Sequence, residues 1–300
     1  MKKNGINVKR VHLLIVIIFV CVLALFTTVK VFTYVTTNAE GPVITFDKDE
    51  IRVKTSVKEK KLLEGVTAVD EKGNDVTDTV MIESFSKLLD GKKRIVNYIA
   101  YDANNNIGKA SRTIVYRDYT SPKIRLDHSP EFYTEDGYVD ILDYVTVKDK
   151  IDGEIGKKAQ LLNTEYIKEN RFNYTVGVTN SCGDTVELTI PVTTHTTENA
   201  DALPFVVLDD YIVYVDKGDD FNAWSHVEAL TVGKSIYQVE GKDEPVSSSD
   251  YNYVSGITIS ESAISVSGSV DTDKKGTYRV TFKADYNDKR ANTTMLVVVE

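Results

Sequence analysis

Residues 13–29 have the sequence LLIVIIFVCVLALFTTV, which contains no charged side chain. The hydrocarbon core of a bilayer is about 30 Å thick, and a helix needs about 20 apolar residues to cross it. The stretch reaches this length if it continues to Val35 and if Lys30 extends its ammonium group to the membrane surface. We therefore predict a transmembrane signal-anchor helix over residues 13–35.

The charges around this segment predict its orientation. No acidic residue occurs before Glu40. Four basic residues precede the segment: Lys2, Lys3, Lys9 and Arg10. Because basic flanks are retained on the cytoplasmic side, residues 1–12 are predicted to form a cytoplasmic tail. The predicted localisation is the cell membrane, with a single pass and the C-terminal domains outside the cell.

A cleaved secretory signal is the alternative interpretation, because it also combines a basic start with an apolar middle. The apolar segment here is longer than the usual signal core of roughly 7–15 residues. The best cleavage candidate, the tripeptide at 37–39, ends in Asn-Ala and does not follow an A-x-A pattern. Cys21 follows Val20, which disfavours a lipoprotein. An anchor is preferred, and cleavage stays open.

The charge outside the membrane limits the class of partner. The chain has 36 Lys and Arg against 45 Asp and Glu. Without the five basic residues up to Lys30 and without Glu40, 31 basic and 44 acidic residues remain, a net charge of −13. Nucleic acids and anionic lipid surfaces require dense basic side chains. We therefore expect neither as the principal partner.

The two cysteines predict no disulfide. Cys21 lies in the apolar segment and Cys182 in the exported part, so plausible geometry does not join them. The exported domains must be stabilised by burial alone. Cys182 is interpreted as a thiol near a turn, without a chemical role.

The exported chain has the composition and periodicity of antiparallel sheets. It is rich in Val, Ile and Thr, and the whole chain holds 17 tyrosines against 1 tryptophan and 3 methionines. Apolar and polar residues alternate in several runs: 51–54, 94–101, 172–178 and 278–284. Alternation with period two predicts strands with one buried and one wet face, as in a sandwich. Clusters of Asp, Asn and Gly separate these runs and predict turns.

Internal similarity divides the exported chain into three. A proline followed by alternating apolar residues occurs at 41–46, 121–126 and 203–208, with spacings of 80 and 82 residues. Such a proline can open an edge strand, where its missing N–H costs nothing. Units of this length are too long for solenoid repeats, so each is expected to be an independent sandwich.

These segments resemble bacterial immunoglobulin-like (Ig-like) domains that occur in tandem on cell-surface proteins. The clearest segments are VTAVD at 66–70 and YIAYDANNN at 98–106. The second unit keeps DKIDGE at 149–154, and the third keeps GTY at 276–278 but holds an insertion-like Ser/Gly stretch at 246–270. The resemblance implies an all-β chain of tandem Ig-like β-sandwich domains behind a single transmembrane helix. It implies no particular activity.

The predicted domains cover residues 41–117, 118–195 and 203–300. The connection at 116–121 is too short to let the first two units reorient freely. Residues 195–202, HTTENADA, are polar enough for a hinge. We therefore expect a stalk with one joint between the second and third domains.

No residue pattern indicates catalysis, so the chain is predicted not to be an enzyme. The four histidines, His12, His128, His195 and His226, form no metal-binding or triad spacing. The sequence contains no G-x-S-x-G, S-x-x-K or P-loop motif. We assign no catalytic, cofactor-binding or metal-binding residue and expect no cofactor.

Acidic turns are the one constellation that could hold a cation. Asp70, Asn74 and Asp75 lie in the first unit, and Asp149, Asp152 and Glu154 lie in the second. Their oxygens suit Ca²⁺, but the spacing does not match the EF-hand loop. Asp, Asn and Gly also favour turns for local reasons. A turn role is the preferred interpretation, and calcium binding stays open.

Aromatic residues of the third unit could bind a sugar or a protein. An exposed Trp224 would suit such a contact, whereas a Trp in the sandwich core is the preferred interpretation. Four tyrosines could form a surface patch or alternate into the core: Tyr211, Tyr214, Tyr251 and Tyr253.

The sequence favours a non-enzymatic, membrane-anchored bacterial surface protein whose Ig-like modules present the third, distal domain for binding or adhesion. Its partners would be the lipid bilayer, through the helix, and another surface protein or glycan. The alternative is a structural spacer or assembly module of a cell-envelope complex. Specificity is expected in the third unit because it is the longest and most divergent, and loops carry specificity.

Overall fold

A computed structural model describes residues 8–37 and 40–300, and it begins with a long helix. Helix α1, Val8–Thr37, contains an apolar stretch, His12–Phe32, that is long enough to cross a membrane. The side chains of this stretch are exposed. Its length and composition fit a membrane anchor or a signal sequence. Most of the predicted tail at 1–12 and the end of the cleavage candidate at 37–39 lie outside the described residues.

The rest of the chain is mostly β. The chain divides into two compact units, residues 1–117, which include α1, and residues 118–300. The sandwich of the first unit contains a one-turn helix, α2 (Glu59–Leu62), and six strands: β1 (Val43–Phe46), β2 (Glu50–Val53), β3 (Val66–Val69), β4 (Met81–Phe85), β5 (Lys93–Tyr101) and β6 (Ile107–Tyr116). Strands β1 and β3 pair with each other, and the other sheet has the order β2-β6-β5-β4.

The alternation predicted from sequence sets the first core. Val96, Tyr98 and Ala100 of β5 are fully buried, whereas Asn97 is half-buried and Ile99 is 9% exposed. The Tyr98 hydroxyl donates to the Leu62 carbonyl at 2.8 Å, which ties α2 to this sheet.

The second unit begins with a sandwich of seven strands: β7 (Lys123–Leu126), β8 (Glu131–Thr134), β9 (Val145–Asp149), β10 (Gly153–Glu154), β11 (Gln160–Lys168), β12 (Arg171–Thr179) and β13 (Thr185–Thr196). Its sheets have the orders β10-β9-β7 and β11-β12-β13-β8. Ile124, Val147, Val176 and Ile190 fill its core.

The same unit continues with a sandwich of eight strands: β14 (Pro204–Leu208), β15 (Ile212–Val215), β16 (Val227–Val232), β17 (Ser235–Val239), β18 (Asn252–Ile259), β19 (Ile264–Ser267), β20 (Gly276–Tyr286) and β21 (Lys289–Val299). Its sheets have the orders β14-β16-β17-β18 and β15-β21-β20-β19. Val206, Leu230, Phe282 and Met295 are among its core residues.

One pairing recurs in all three sandwiches. A short strand near the start pairs in parallel with the last strand: β2 with β6, β8 with β13 and β15 with β21. The remaining pairs are antiparallel, apart from β17 with β18. The predicted all-β, sandwich-type fold behind one apolar N-terminal helix is thus confirmed, and the boundaries 41–117, 118–195 and 203–300 stay predictions.

The second and third sandwiches share apolar core residues. Ile212 and Leu296, which belong to the third sandwich, are fully buried in the cluster formed by the second. The Tyr214 hydroxyl also bonds to the backbone of Ile124, accepting from its N–H at 3.1 Å and donating to its carbonyl at 2.9 Å. The expected hinge at 195–202 is therefore wrong. The linker is polar, but the strands on either side of it bury apolar surface against each other.

A buried carboxylate lies in the same interface. The Glu131 side chain is 4% exposed and accepts hydrogen bonds from Arg279 and from Thr294 Oγ1, the latter at 2.9 Å. His195 Nε2, on the second sandwich, lies 2.7 Å from the other carboxylate oxygen. The Ser129 hydroxyl adds two bonds to the backbone of Thr294. A buried charge is tolerated only with several partners. Because the partners of Glu131 come from both sandwiches, this cluster fixes the second and third sandwiches in one relative orientation.

Candidate binding groove

The acidic turn of the first sandwich uses its carboxylate to hold its own backbone. Asp70 Oδ1 accepts from the N–H groups of Lys72 and Asn74 at 2.9 and 2.8 Å, and Oδ2 accepts from Asn74 Nδ2 at 2.8 Å. Hydrogen bonds from the side chain and backbone of Asn74 lower the pKa of Asp70 below 3.8. Asp102 holds the turn at 102–106 in the same way.

The acidic turn of the second sandwich is also internally bonded. Asp149 Oδ1 accepts from the N–H groups of Ile151 and Asp152, and its Oδ2 accepts from Asn180 Nδ2 at 3.0 Å. Asp152 accepts from the backbone N–H of Ser181 at 2.7 Å. Among the described residues, no group of three or more Asp, Glu, His or Cys side chains is arranged to hold a metal ion. These contacts support the turn interpretation.

The histidines outside α1 lie in separate places. His128 is stacked on Phe132 at 4.7 Å, and burial lowers its pKa. His195 contacts Glu131, and His226 Nδ1 lies 2.9 Å from Asp209 Oδ1. The Cys182 thiol is fully buried. The structure brings none of them together.

The aromatic residues of the third sandwich do not form one patch. Tyr211 and Tyr214 pack against the second sandwich, and burial raises the pKa of each to about 12. Trp224 is half-buried against the third core, which is less burial than the preferred interpretation expected. Lys242 Nζ lies 5.4 Å from the Trp224 ring centroid and donates to the Trp224 carbonyl at 2.6 Å. Tyr251 is exposed.

A groove lies instead on the outer face of the β14-β16-β17-β18 sheet. The segment at 241–251 covers this face, so that Ala229 is only 1% exposed and Ile236 only 8%, although neither belongs to the third core cluster. Gln238 Nε2 donates to the Lys242 carbonyl at 2.9 Å, which fixes the start of the covering segment. A half-enclosed cavity of about 480 Å³ lies between the segment and the sheet.

The groove has an aliphatic floor and an acidic rim. Its floor is lined by Val207, with Ala229 and Ile236 almost fully covered beside it, and Pro245 and Val246 form the wall contributed by the covering segment. Its rim holds four carboxylates and one ammonium group: Asp209, Glu228, Asp243, Glu244 and Lys242. Ser225 completes the lining. The groove can therefore offer apolar contact and negative charge to the same ligand.

A shift in the pairing of β14 with β16 places the Glu228 carboxylate at the groove. Val207 pairs with Ala229, whereas the next residue, Leu208, pairs with Val227. Glu228 is left outside the pairing, as in a β-bulge, and its side chain is exposed at the groove. Bulges often redirect a side chain next to a binding site.

Sequence reasoning did not identify the groove; of the residues that line it, only Val246 falls in the insertion-like stretch at 246–270. The start of the insertion-like stretch at 246–270 overlaps the end of the covering segment at 241–251. The run KDEP at 242–245, with three charges and a proline between two strands, is the signal that could have located the rim. The bulge at Glu228 has no clear sequence signature.

No family model matches the chain, and no curated protein matches it. Several solved structures do. One contains CBM51-2 in complex with GlcNAc and the INT domains from Clostridium perfringens ZmpB; it is 19% identical, covers 46% of this chain and 27% of that chain, and has a TM-score of 0.20. The protocadherin GammaB4 extracellular domain is 11% identical, with 87% and 49% covered and a TM-score of 0.19. The human desmocollin-1 ectodomain is 12% identical, with 86% and 61% covered and a TM-score of 0.17. This chain spans less than two thirds of each, and no residue role is carried over from them.

Proposed function

We propose that this chain is a non-enzymatic, membrane-anchored bacterial cell-surface protein whose third Ig-like module binds a partner, another surface protein or a glycan. The observation that carries the proposal is the groove: a cavity of about 480 Å³ with an apolar floor, on the module farthest along the chain from α1. Concave sites with a few convergent polar groups are the usual places for ligands.

The second sandwich supports this role. Since Ile212, Leu296 and the Glu131 cluster fix the third sandwich to the second, the groove is carried on a two-sandwich body and not on a loose domain. A rigid support reduces the entropy lost on binding.

The same interface limits which experiment is informative. Deletion of residues 203–300 would remove Ile212 and Leu296 and expose the apolar core of the second sandwich. Loss of binding in the deletion variant could then result from misfolding of the second sandwich instead of from loss of the groove. A single substitution at the tip of the covering segment is sharper, because Val246 is 85% exposed and lines the groove.

Val246→Asp in the full chain, reconstituted in lipid nanodiscs, should lose a partner that the unmodified chain captures from its own envelope extract. Leu89→Asp is the matched control, because Leu89 is a 61% exposed apolar residue of the first unit. Quantitative mass spectrometry measures captured material. Equal capture by all three proteins would refute a binding role for this module.

Location is tested separately on intact cells that express the full chain with a tag at each end. Added protease should remove the C-terminal tag and spare the N-terminal tag. Protection of the C-terminal tag would refute surface exposure.

The second candidate, a spacer or assembly module, is favoured by strand β11. All nine of its residues are exposed, including Leu161, Leu162 and Tyr166, and it forms the edge of its sheet. Edge strands are potential sites of lateral association. If this role holds, exchange of α1 for an unrelated apolar helix, or Tyr166→Lys, should disrupt a complex that Val246→Asp leaves intact.

A further inference from the structure

Most carboxylates on the groove rim have no basic partner in this chain among the described residues. Lys242 donates to the Trp224 carbonyl, and Asp209 contacts His226. Glu228, Asp243 and Glu244 have no hydrogen bond or ion pair with any residue in the described part of the chain. Three carboxylates thus line one cavity without a hydrogen-bond or ion-pair partner among the described residues.

The floor beneath these carboxylates selects against a small inorganic cation. Val207 on the floor and Pro245 and Val246 on the opposite wall present accessible aliphatic carbon, whereas Ala229 and Ile236 are almost fully covered. A hydrated cation gains nothing from such a surface, whereas a ligand with apolar groups gains from its burial. None of the described residues that line the groove is aromatic, so a neutral sugar ring would lack a ring to stack on.

We propose that the groove recognises a basic, partly apolar polypeptide segment of a partner protein, with aliphatic side chains against Val207, Pro245 and Val246 and with Lys or Arg side chains at the three carboxylates. This rests on the proposed binding function of the third sandwich and specifies its ligand class. Long basic side chains fit this site because their methylene stems pack on apolar surface while the charged end stays at the rim.

Hydrogen bonds within this chain hold the covering segment beside the sheet. The covering segment is held at its start by the bond from Gln238 to Lys242 and near its end by the Ser248 N–H, which donates to the Tyr251 carbonyl at 2.9 Å. The Tyr253 N–H adds a bond to the Ser247 hydroxyl at 2.9 Å. Pre-formed sites lose little entropy on binding.

The probe is a fluorescent octapeptide of alternating Leu and Lys, titrated by anisotropy into the full chain in nanodiscs of zwitterionic lipid, with empty nanodiscs subtracted. An alternating Gly-Lys octapeptide tests charge without apolar groups, and an alternating Leu-Glu octapeptide tests apolar groups with the wrong charge. The Leu-Lys peptide should bind best, and its affinity should fall as salt is raised, because rim charges are screened.

The triple variant Glu228→Gln, Asp243→Asn, Glu244→Gln should bind the Leu-Lys peptide about tenfold more weakly, which corresponds to about 1.4 kcal/mol. The matched control is Glu169→Gln, Glu187→Gln, Glu198→Gln, which removes the same charge from exposed positions of the second sandwich and of the linker that follows it. Its affinity should stay within about twofold of the unmodified chain, since distant surface charges are screened.

Several results would overturn the proposal. Equal weakening by the two triple variants would show general attraction to an acidic surface. Equal affinities for the Leu-Lys and Gly-Lys peptides would show that the aliphatic residues of the groove do not contribute to binding. Equal affinities for the Leu-Lys and Leu-Glu peptides would show that the rim carboxylates do not contribute. Binding of a neutral N-acetylglucosamine oligosaccharide that Val246→Asp abolishes, without binding of any peptide, would assign the groove to glycans.

Failure of the ligand class is distinguishable from failure of the proposed function. If the envelope capture depends on Val246 but the triple variant captures equally well, the module binds a partner by other chemistry. If capture never depends on Val246, the binding role itself is wrong.

Discussion

The two units each bury a charged side chain, Arg112 in the first and Glu131 in the second, and they compensate it in different ways. Arg112 donates to the carbonyls of Leu62 and Glu64 and lies 5.4 Å from the centroid of the Tyr98 ring. All of its partners belong to one sandwich. The partners of Glu131 lie on two sandwiches.

The difference shows what each buried charge specifies. Arg112 fixes the local loop that follows α2 against the sheet of its own sandwich. Glu131 fixes one sandwich against another, so its contribution extends over residues 118–300. A buried charge can therefore define a loop or define an interface, depending on where its partners originate.

The largest expected effect follows removal of Glu131. Glu131→Ala leaves Arg279 and Thr294 without their buried carboxylate partner, and breaking a buried pair costs about 3–5 kcal/mol. The chain has one tryptophan, Trp224 in the third sandwich, and a buried thiol, Cys182 in the second. In a Cys21→Ser background, Trp224 fluorescence and Cys182 labelling should follow one urea transition before the substitution and two transitions after it.

Glu187→Ala, on an exposed position of the second sandwich, is the control and should change the unfolding free energy by less than about 0.5 kcal/mol. Separate transitions already present in the unmodified chain would contradict the coupling of the two sandwiches.

A smaller effect is expected at Arg112. Arg112→Met keeps apolar volume but leaves the Glu64 carbonyl without its Arg112 donor and the Leu62 carbonyl with only the Tyr98 hydroxyl. An unsatisfied buried polar group costs about 1–3 kcal/mol. Hydrogen exchange measured by mass spectrometry should accelerate in β5 and in the loop after α2. Arg52→Met, at an exposed position of β2, is the control. Unchanged exchange in Arg112→Met would show that neither the hydrogen bonds nor the ring contacts of Arg112 are needed to hold the loop.

The strands could be predicted from sequence because period-two alternation depends on local residues. The predicted runs at 94–101 and 172–178 coincide with β5 and β12. The interface could not be predicted, because Ile212 and Leu296 alternate like other strand residues and nothing local shows that they face a second sandwich. The polar composition of the linker at 195–202 indicates that the linker itself is exposed. It does not indicate whether the strands on either side of it pack against each other.

The groove was only partly predictable for a similar reason. The insertion-like Ser/Gly composition at 246–270 marked a divergent stretch, most of which forms β18 and β19. The fold over Ala229 and Ile236 depends on long-range contacts, such as the bond from Gln238 to Lys242. Trp224, which the sequence suggested as a binding residue, takes part through its backbone carbonyl, which accepts a hydrogen bond from Lys242.

The smallest expected effect concerns the exposed charge of Asp70, which contrasts with both buried groups. The bonds from Asn74 lower its pKa in the folded state below the ordinary value of 3.8. The carboxylate therefore stabilises the fold at pH above about 4, and this contribution is lost as the pH falls from 3.8 through the lower folded pKa. Asp70→Asn lacks the charge, so its urea midpoint should change less between pH 6 and pH 3 than that of the unmodified chain. Asp78→Asn, at an exposed position in the next turn, should keep the full pH dependence, because the Asp70 carboxylate is still present. Identical pH profiles for Asp70→Asn and the unmodified chain would mean that the turn is held by its backbone bonds without help from the ionised carboxylate.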